Sequence, residues 1–481
     1  MRGMLAACST VVAAVLTVTG FSPLAQAAPS PGGGDIKAAL AQIPGLSIIK
    51  EDTAPTGFRF FELNFTQPVD HRNPRGATFQ QRYTLLHHDF AAPTVMFTSG
   101  YNVSTAPNRS EPTRIIDGNQ LSMEYRFFTP SRPEPANWSK QLTIWQAAAD
   151  EHDAVQAFKS IYHAKWLATG GSKGGMTATY FRRFFPNDVD GTVPYVAPND
   201  VIDPIDKYNK FLANVGDDPG CRDALKAIQR DTLKRRDEFG KIATEDATKN
   251  GYTFKIIGSI DKSIEVSVID SYFAFWQYQK QADCATVPKA GAPAADVWAW
   301  YQKVESLNTY ADQELEPYVP YYYQAAVQLG SPEAYDGYLK DLLRYPGADT
   351  PKSFIPSSVK VPHFDYFAMP DIDFWVRTRA QRMLFVYGSN DPWGAEPFSL
   401  GFGTKDSYRY FVPGGNHGSN IAQLPADQAA AATKTVRRWA GLPETPPAAA
   451  QAQAQSRSES AVTAGFPGFD ADPIVNDRPR L

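Results

Sequence analysis

Lys165-Trp166-Leu167-Ala168-Thr169-Gly170-Gly171-Ser172-Lys173-Gly174-Gly175-Met176-Thr177-Ala178 is the stretch that decides how this chain is read. Residues 170–174 follow the pattern G-x-S-x-G, with Ser172 at the centre. In such a turn a strand ends and a helix begins almost at once, and the serine is held strained and exposed at the end of a sheet. Glycines are needed because the backbone passes close to itself, where a Cβ would clash. The flanks agree with this reading. Lys165 to Thr169 suits an incoming strand, and Met176 to Phe184 suits an outgoing helix that stops before Pro186.

Working outward, Phe58 to Phe65 is aromatic-rich, Thr78 to His88 holds β-formers, and Pro93 to Thr98 is a short apolar run ending at Ser99-Gly100. These predict strands. Residues 139–160 predict a helix with Leu142, Trp145, Val155 and Phe158 inward. Strands that alternate with helices predict an α/β fold: a mostly parallel sheet with helices on both faces. With the serine turn, this points to an α/β-hydrolase core, carried by residues 45–200 and 366–441. Residues 201–365 turn to helical pattern, charge and aromatics and predict an inserted helical cap. From 442 to 481 Pro, Ala, Gln and Ser predict a disordered or surface-wrapped tail.

The chain has 481 residues, 43% of them hydrophobic, and a formal charge of -4. That is ample for a core, and the balance of charge argues against nucleic acid as a partner. Arg2, the apolar run Met4 to Val18 and Ala25-Gln26-Ala27 predict a secretory signal over residues 1–27. Residues 28–44 then form a flexible lead-in, and no later stretch suits a membrane anchor. The protein is therefore expected outside the cell, as a monomer. Of three cysteines, Cys8 leaves with the signal. The pair left in an exported protein predicts a Cys221–Cys284 disulfide, two free thiols being the alternative. No metal or other cofactor is expected.

A serine hydroxyl needs a base to take its proton, and the base needs a carboxylate to fix its tautomer. In α/β-hydrolases the chain order is Ser, Asp or Glu, then His. Of seven histidines only His363 and His417 follow Ser172. His417, in Gly414-Gly415-Asn416-His417-Gly418 beyond a predicted strand, is preferred. Asp391, in Asn390-Asp391-Pro392-Trp393 after Met383 to Tyr387, is the carboxylate, with Glu396 as runner-up. A base that works as neutral imidazole predicts loss of activity in acid. The oxyanion needs donors: the backbone N–H of Lys173 and, from the loop Ser99-Gly100-Tyr101-Asn102, that of Tyr101.

Taken together, Gly170 to Ala178, Asn390 to Trp393 and Gly414 to Gly418 resemble the secreted tripeptidyl aminopeptidases of Streptomyces, the prolyl tri/tetrapeptidyl aminopeptidases above all. Gln67 to His71, Phe79 to Tyr83 and Glu124 to Phe128 add a more distant resemblance to the lysosomal prolyl carboxypeptidase family. The resemblance implies a secreted serine exopeptidase that removes tri- or tetrapeptides from free N-termini, with proline before the scissile bond. Such an enzyme must read an ammonium group, and by resemblance Glu124 is the candidate, a structural ion pair with Arg126 or Arg132 being the other reading. A rigid aromatic pocket would take proline, with Tyr101, Trp393 and Tyr321, Tyr322 and Tyr323 as candidate walls. An esterase or lipase with the same triad, or a non-enzymatic extracellular binding module, are the alternatives that the turn alone leaves open.

Overall fold

The computed structural model describes residues 34–205 and 207–471, so the predicted signal and residues 28–33 of the lead-in lie outside the described residues. The rest of the lead-in is not the flexible segment expected: Ile36–Leu40 is a short helix, and Ile36, Leu40 and Ile43 are buried in the core. Nine strands form one sheet: β1 Leu46–Asp52, β2 Arg59–Pro68, β3 Thr78–His87, β4 Thr94–Thr98, β5 Asn119–Met123, β6 Trp166–Gly171, β7 Gly191–Tyr195, β8 Leu384–Gly388 and β9 Tyr408–Val412. Their order is β1-β2-β3-β5-β4-β6-β7-β8-β9. The first three strands and the β3–β5 pairing are antiparallel, and every pairing from β5 to β9 is parallel.

Burial explains the parallel part. Every residue of β4, β6, β7 and β8 is buried, as expected for strands covered on both faces. Alternate side chains go to opposite layers. Val95, Leu167 and Leu384 join Val436 and Trp439 of helix Ala426–Trp439. Met96 and Ala168 meet Ala148, Val155 and Phe158 of helix Ile144–Phe158, while Phe385 meets Trp375 of helix Ala368–Arg379. Helix Lys173–Phe184 follows β6 and lies on the second face. This is the α/β-hydrolase architecture.

Two strands have no signal in the sequence. The central strand β5 reads Asn-Gln-Leu-Ser-Met, without alternation. Its polar side chains are buried because the fold supplies partners: Asn119 Nδ2 donates to the carbonyls of Asp89 and Ala92, and Gln120 Oε1 accepts from the Ser110 N–H. β1 lies at the sheet edge and is mostly exposed, so it carries little apolar pattern.

Between β7 and β8 the chain runs through helices that include Pro219–Lys234, Arg236–Asn250, Ile260–Tyr278 and Ala294–Val304. They share an apolar centre of their own, with Leu225, Ile228, Phe239, Tyr272, Trp276 and Tyr301. Helix Ile260–Tyr278 is buried on all sides from Ser263 to Gln277, which explains its apolar sequence. A Cys221–Cys284 disulfide closes this region, with a Cα–Cα distance of 5.4 Å. A loop of that length stabilises by about 2–4 kcal/mol, mainly through the unfolded chain. Among the described residues no helix is long and apolar enough to cross a membrane.

The C-terminal segment has more structure than its composition suggests. Residues 448–463 form a helix, and Ala461 and Phe469 beyond it pack on Phe58, Phe60 and Leu86. Arg109 clamps the end, with Nε and Nη2 donating to the Asp470 carboxylate at 2.8 and 2.9 Å.

Candidate active site

Ser172 sits where the turn was expected, between β6 and helix Lys173–Phe184. Its backbone has φ 55° and ψ -127°, a region that non-glycine residues rarely enter. The strain is held from both sides. The Ser172 N–H donates to the Tyr195 carbonyl at 2.9 Å, and the Ser172 carbonyl accepts from the Met176 N–H at 3.0 Å. Tight packing explains the glycines. A Cβ on Gly170 or Gly174 would lie 2.3 or 2.1 Å from the Thr98 carbonyl oxygen.

The loops after β8 and β9 bring Asp391 and His417 together. Asp391 Oδ1 accepts from the Trp393 N–H at 3.1 Å, and Oδ2 lies 2.8 Å from His417 Nδ1. The two loops are laced: the Asn390 N–H donates to the Gly415 carbonyl at 2.8 Å and the Gly414 N–H to Ser389 Oγ at 2.7 Å. Helix Ile260–Tyr278 adds a further hold, because Gln277 O accepts from the His417 N–H and Tyr278 O from Asn416 Nδ2. Both members of the pair are buried. Burial lifts the Asp391 carboxyl above its ordinary value, and the adjacent imidazole pulls it back. With Nδ1 on the carboxylate, Nε2 is the nitrogen left for chemistry. It is buried without a hydrogen-bond partner, so no bond to Ser172 is formed in this state. Apo sites of this kind are often loose and tighten around substrate.

Ser172 lines a pocket at the end of the sheet. Lys173 and Met176 come from the same helix, and Tyr208, Gln277, Tyr278, Tyr321, Leu329 and Ser331 from the helical region between β7 and β8. Trp393 and Tyr101 complete its aromatic walls. The rings of Tyr278 and Trp393 lie 6.2 and 6.4 Å from the His417 ring, which places the imidazole directly behind this wall. Glu396, the runner-up to Asp391, is bridged to Lys207 at 3.7 Å. His363 is outside the pocket lining.

The remaining candidates divide. The Lys173 N–H is the first of its helix, where no intrahelical acceptor exists. Its side chain turns away and is buried, with Nζ donating to the Gly100 carbonyl at 2.8 Å and lying 3.3 Å from the centroid of the Tyr125 ring. Burial pushes this amine well below its ordinary value. The Tyr101 N–H, expected to face an oxyanion, already donates to Ser99 Oγ at 3.1 Å. The Ser99 hydroxyl folds back on its own turn, as serines in loops readily do. Of the tyrosine cluster only Tyr321 reaches the pocket. Tyr322 packs on Phe354 and Tyr323 on Trp138, so both are core.

Glu124 requires the clearest correction. It is fully buried and lies outside the pocket lining. Arg82 holds it through Nε and Nη2, and the Ser131 hydroxyl and the Val103 N–H take its other lone pairs. It is a structural ion pair, with Arg82 as the partner in place of Arg126 or Arg132. Arg126 is instead bidentate on Asp150. A carboxylate that sequence reasoning passed over, Asp200, does line the pocket. Its signal is an Asn-Asp pair after a strand, Asn199-Asp200 beyond β7, the same dipeptide as Asn390-Asp391 beyond β8.

The chain is 53% identical over 449 residues to a prolyl tri/tetrapeptidyl aminopeptidase of Streptomyces mobaraensis, covering 92% of this chain and 91% of that protein. Among solved structures it is similar to a proline iminopeptidase of Mycobacterium smegmatis (13% identity, TM-score 0.36, 78% of this chain and 98% of that one). Another is a peroxisomal α/β-hydrolase of Saccharomyces cerevisiae (11% identity, TM-score 0.34, 85% and 98%). The family model PS-10 peptidase S37 matches residues 29–472, and the chain therefore belongs to the peptidase S37 family of serine peptidases.

Proposed function

We propose that this protein is an exported serine exopeptidase that releases tri- or tetrapeptides from free N-termini, with proline before the scissile bond. The reading rests on one observation above the others. The Asp391–His417 pair stands behind the wall of a pocket that holds Ser172, in a chain 53% identical to a prolyl tri/tetrapeptidyl aminopeptidase.

Ser172 Oγ attacks the scissile carbonyl while His417 Nε2 takes its proton, and Asp391 steadies the imidazolium. The Lys173 N–H, at the positive end of its helix, stabilises the oxyanion. His417 returns the proton to the leaving amine, which departs as the shortened polypeptide. The released tri- or tetrapeptide is at first an ester on Ser172. Water, deprotonated by His417, then cleaves that ester. Walls contributed by the helical region between β7 and β8 favour short peptide ends as substrate. Export fits the disulfide and the predicted signal.

The test is hydrolysis by the purified protein of a free-amine tripeptide p-nitroanilide ending in proline, its N-acetylated twin and a short p-nitrophenyl ester. Cleavage of the free-amine peptide, lost in Ser172→Ala, is expected. Ester hydrolysis without peptide hydrolysis would move the protein to the esterases.

A further inference from the structure

We infer that Asp200 is the residue that reads the substrate's free N-terminus, taking the role that sequence resemblance gave to Glu124. The inference rests on the exopeptidase reading above and specifies how that site chooses its substrate.

Asp200 is the only carboxylate lining the Ser172 pocket among the described residues. It lies five residues beyond β7, at the carboxyl ends of the parallel strands. Ligands of open α/β sheets bind there. The residue is 4% exposed, and its neighbours in the lining include Tyr208, Leu329 and Trp393. Lys173, the one cationic residue of the lining, has its ammonium drawn away to the Gly100 carbonyl. Asp200 is therefore the ionisable group that the lining presents to substrate.

The surrounding chain is shaped to admit this carboxylate. Gly330 has φ +79°, and a Cβ there would lie 2.4 Å from Asp200 Oδ2. The next residue, Ser331, is tied down by its N–H, which donates to Asp203 Oδ1 at 3.0 Å. A turn that only glycine can make thus closes over the acid and forms part of the pocket wall. A protonated α-amine placed against Asp200 forms a charge-assisted hydrogen bond in a site of low polarity, where such a bond is strong. An acetylated or internal residue offers no positive charge for this carboxylate to bind. Three extended residues span about 10 Å, so a carboxylate at a fixed distance from Ser172 also measures the length of the peptide removed.

Asp200→Asn keeps the shape and removes the charge. Activity is measured as kcat/KM on the free-amine tripeptide p-nitroanilide and on its N-acetylated twin. Labelling of Ser172 by a fluorophosphonate reports whether the variant is folded. The expected result is a fall of about 10- to 100-fold on the free-amine substrate, a much smaller change on the acetylated one, and so a collapse of the ratio between them. Asp200→Glu, which restores the charge, should recover part of that ratio, and it serves as the deciding variant if Asp200→Asn does not label. A wild-type ratio preserved in Asp200→Asn, or an Asp200→Glu that labels but does not discriminate, overturns the assignment while leaving the exopeptidase reading intact. A wild-type enzyme indifferent to acetylation overturns both.

Discussion

Among the described residues, two histidine–aspartate pairs shielded from solvent have opposite fates. His71 Nε2 lies 2.7 Å from Asp150, much as His417 Nδ1 lies 2.8 Å from Asp391. Around Asp150, however, nothing is left over. Arg126 is bidentate on it, with both contacts at 2.7 Å, Gln81 Nε2 donates to it, and the second nitrogen of His71 meets Asp153 at 3.3 Å. Around Asp391 the arrangement stops one partner short, and Nε2 of His417 is the atom without a bond. A carboxylate beside an imidazole is therefore not sufficient for catalysis. What distinguishes the second pair is the unfilled nitrogen and a pocket for it to serve.

The comparison can be broken most sharply at His417. His417→Ala should lower kcat by about 10⁴-fold or more with little change in melting temperature, as removal of a triad base does elsewhere. Residual activity within a factor of ten of wild type would remove His417 from the chemistry. The counterpart at the other pair is Arg126→Met, which leaves Asp150 charged and short of its main partner in the interior. Urea denaturation should show a loss of about 3–5 kcal/mol, while kcat of the molecules that remain folded stays within a few-fold of wild type. A large fall in kcat with unchanged stability would make the first pair functional after all.

A pH experiment separates the pairs more gently. Burial pulls the His71 imidazole down, but hydrogen bonds to Asp150 and Asp153 outweigh it and raise the group from 6.5 to about 9. A raised value means that the folded state binds this proton more tightly. The resulting stabilisation is complete below about pH 6.5 and fades as pH rises through about 9. Melting temperature in wild type should decline across that window, and the decline should be shallower in His71→Gln. Identical profiles would dissociate His71 from alkaline stability. The smallest effect belongs to a third pair, His152 and Asp188, in which the histidine is 34% exposed and stacked on Phe185. His152→Gln should cost no more than about 1 kcal/mol by the same denaturation measurement, because solvent screens such pairs.

How far the sequence could be read follows from the range of the interactions involved. Ser172 was legible because its turn is a local backbone problem that glycines at fixed spacing solve. Asp391 and His417 could be proposed because each follows a strand and chain order limits the choice. The ion-pair partner of Glu124 was misassigned because Arg82 lies 42 residues away on a neighbouring strand, and nothing local announces that pairing. Asp200 was missed for the converse reason. An Asn-Asp after a strand is ordinary turn chemistry until the chain from 208 to 331 folds back and makes the space in front of it a pocket. Strand β5 stayed hidden because its buried amides are satisfied only in the finished fold.

The tail helix has a consequence for how the molecule is made. Phe60 and Leu86 belong to the first strands of the sheet and Phe58 stands just before β2, yet Ala461 and Phe469, about 400 residues later, complete their cover. A chain that emerges from its amino end during synthesis, or is threaded through a pore, must carry that apolar patch open until residues 461–469 arrive. The opening strands are thus sealed by a segment made much later, and a chain cut short before residue 461 should display a sticky patch even when Ser172, Asp391 and His417 are all present.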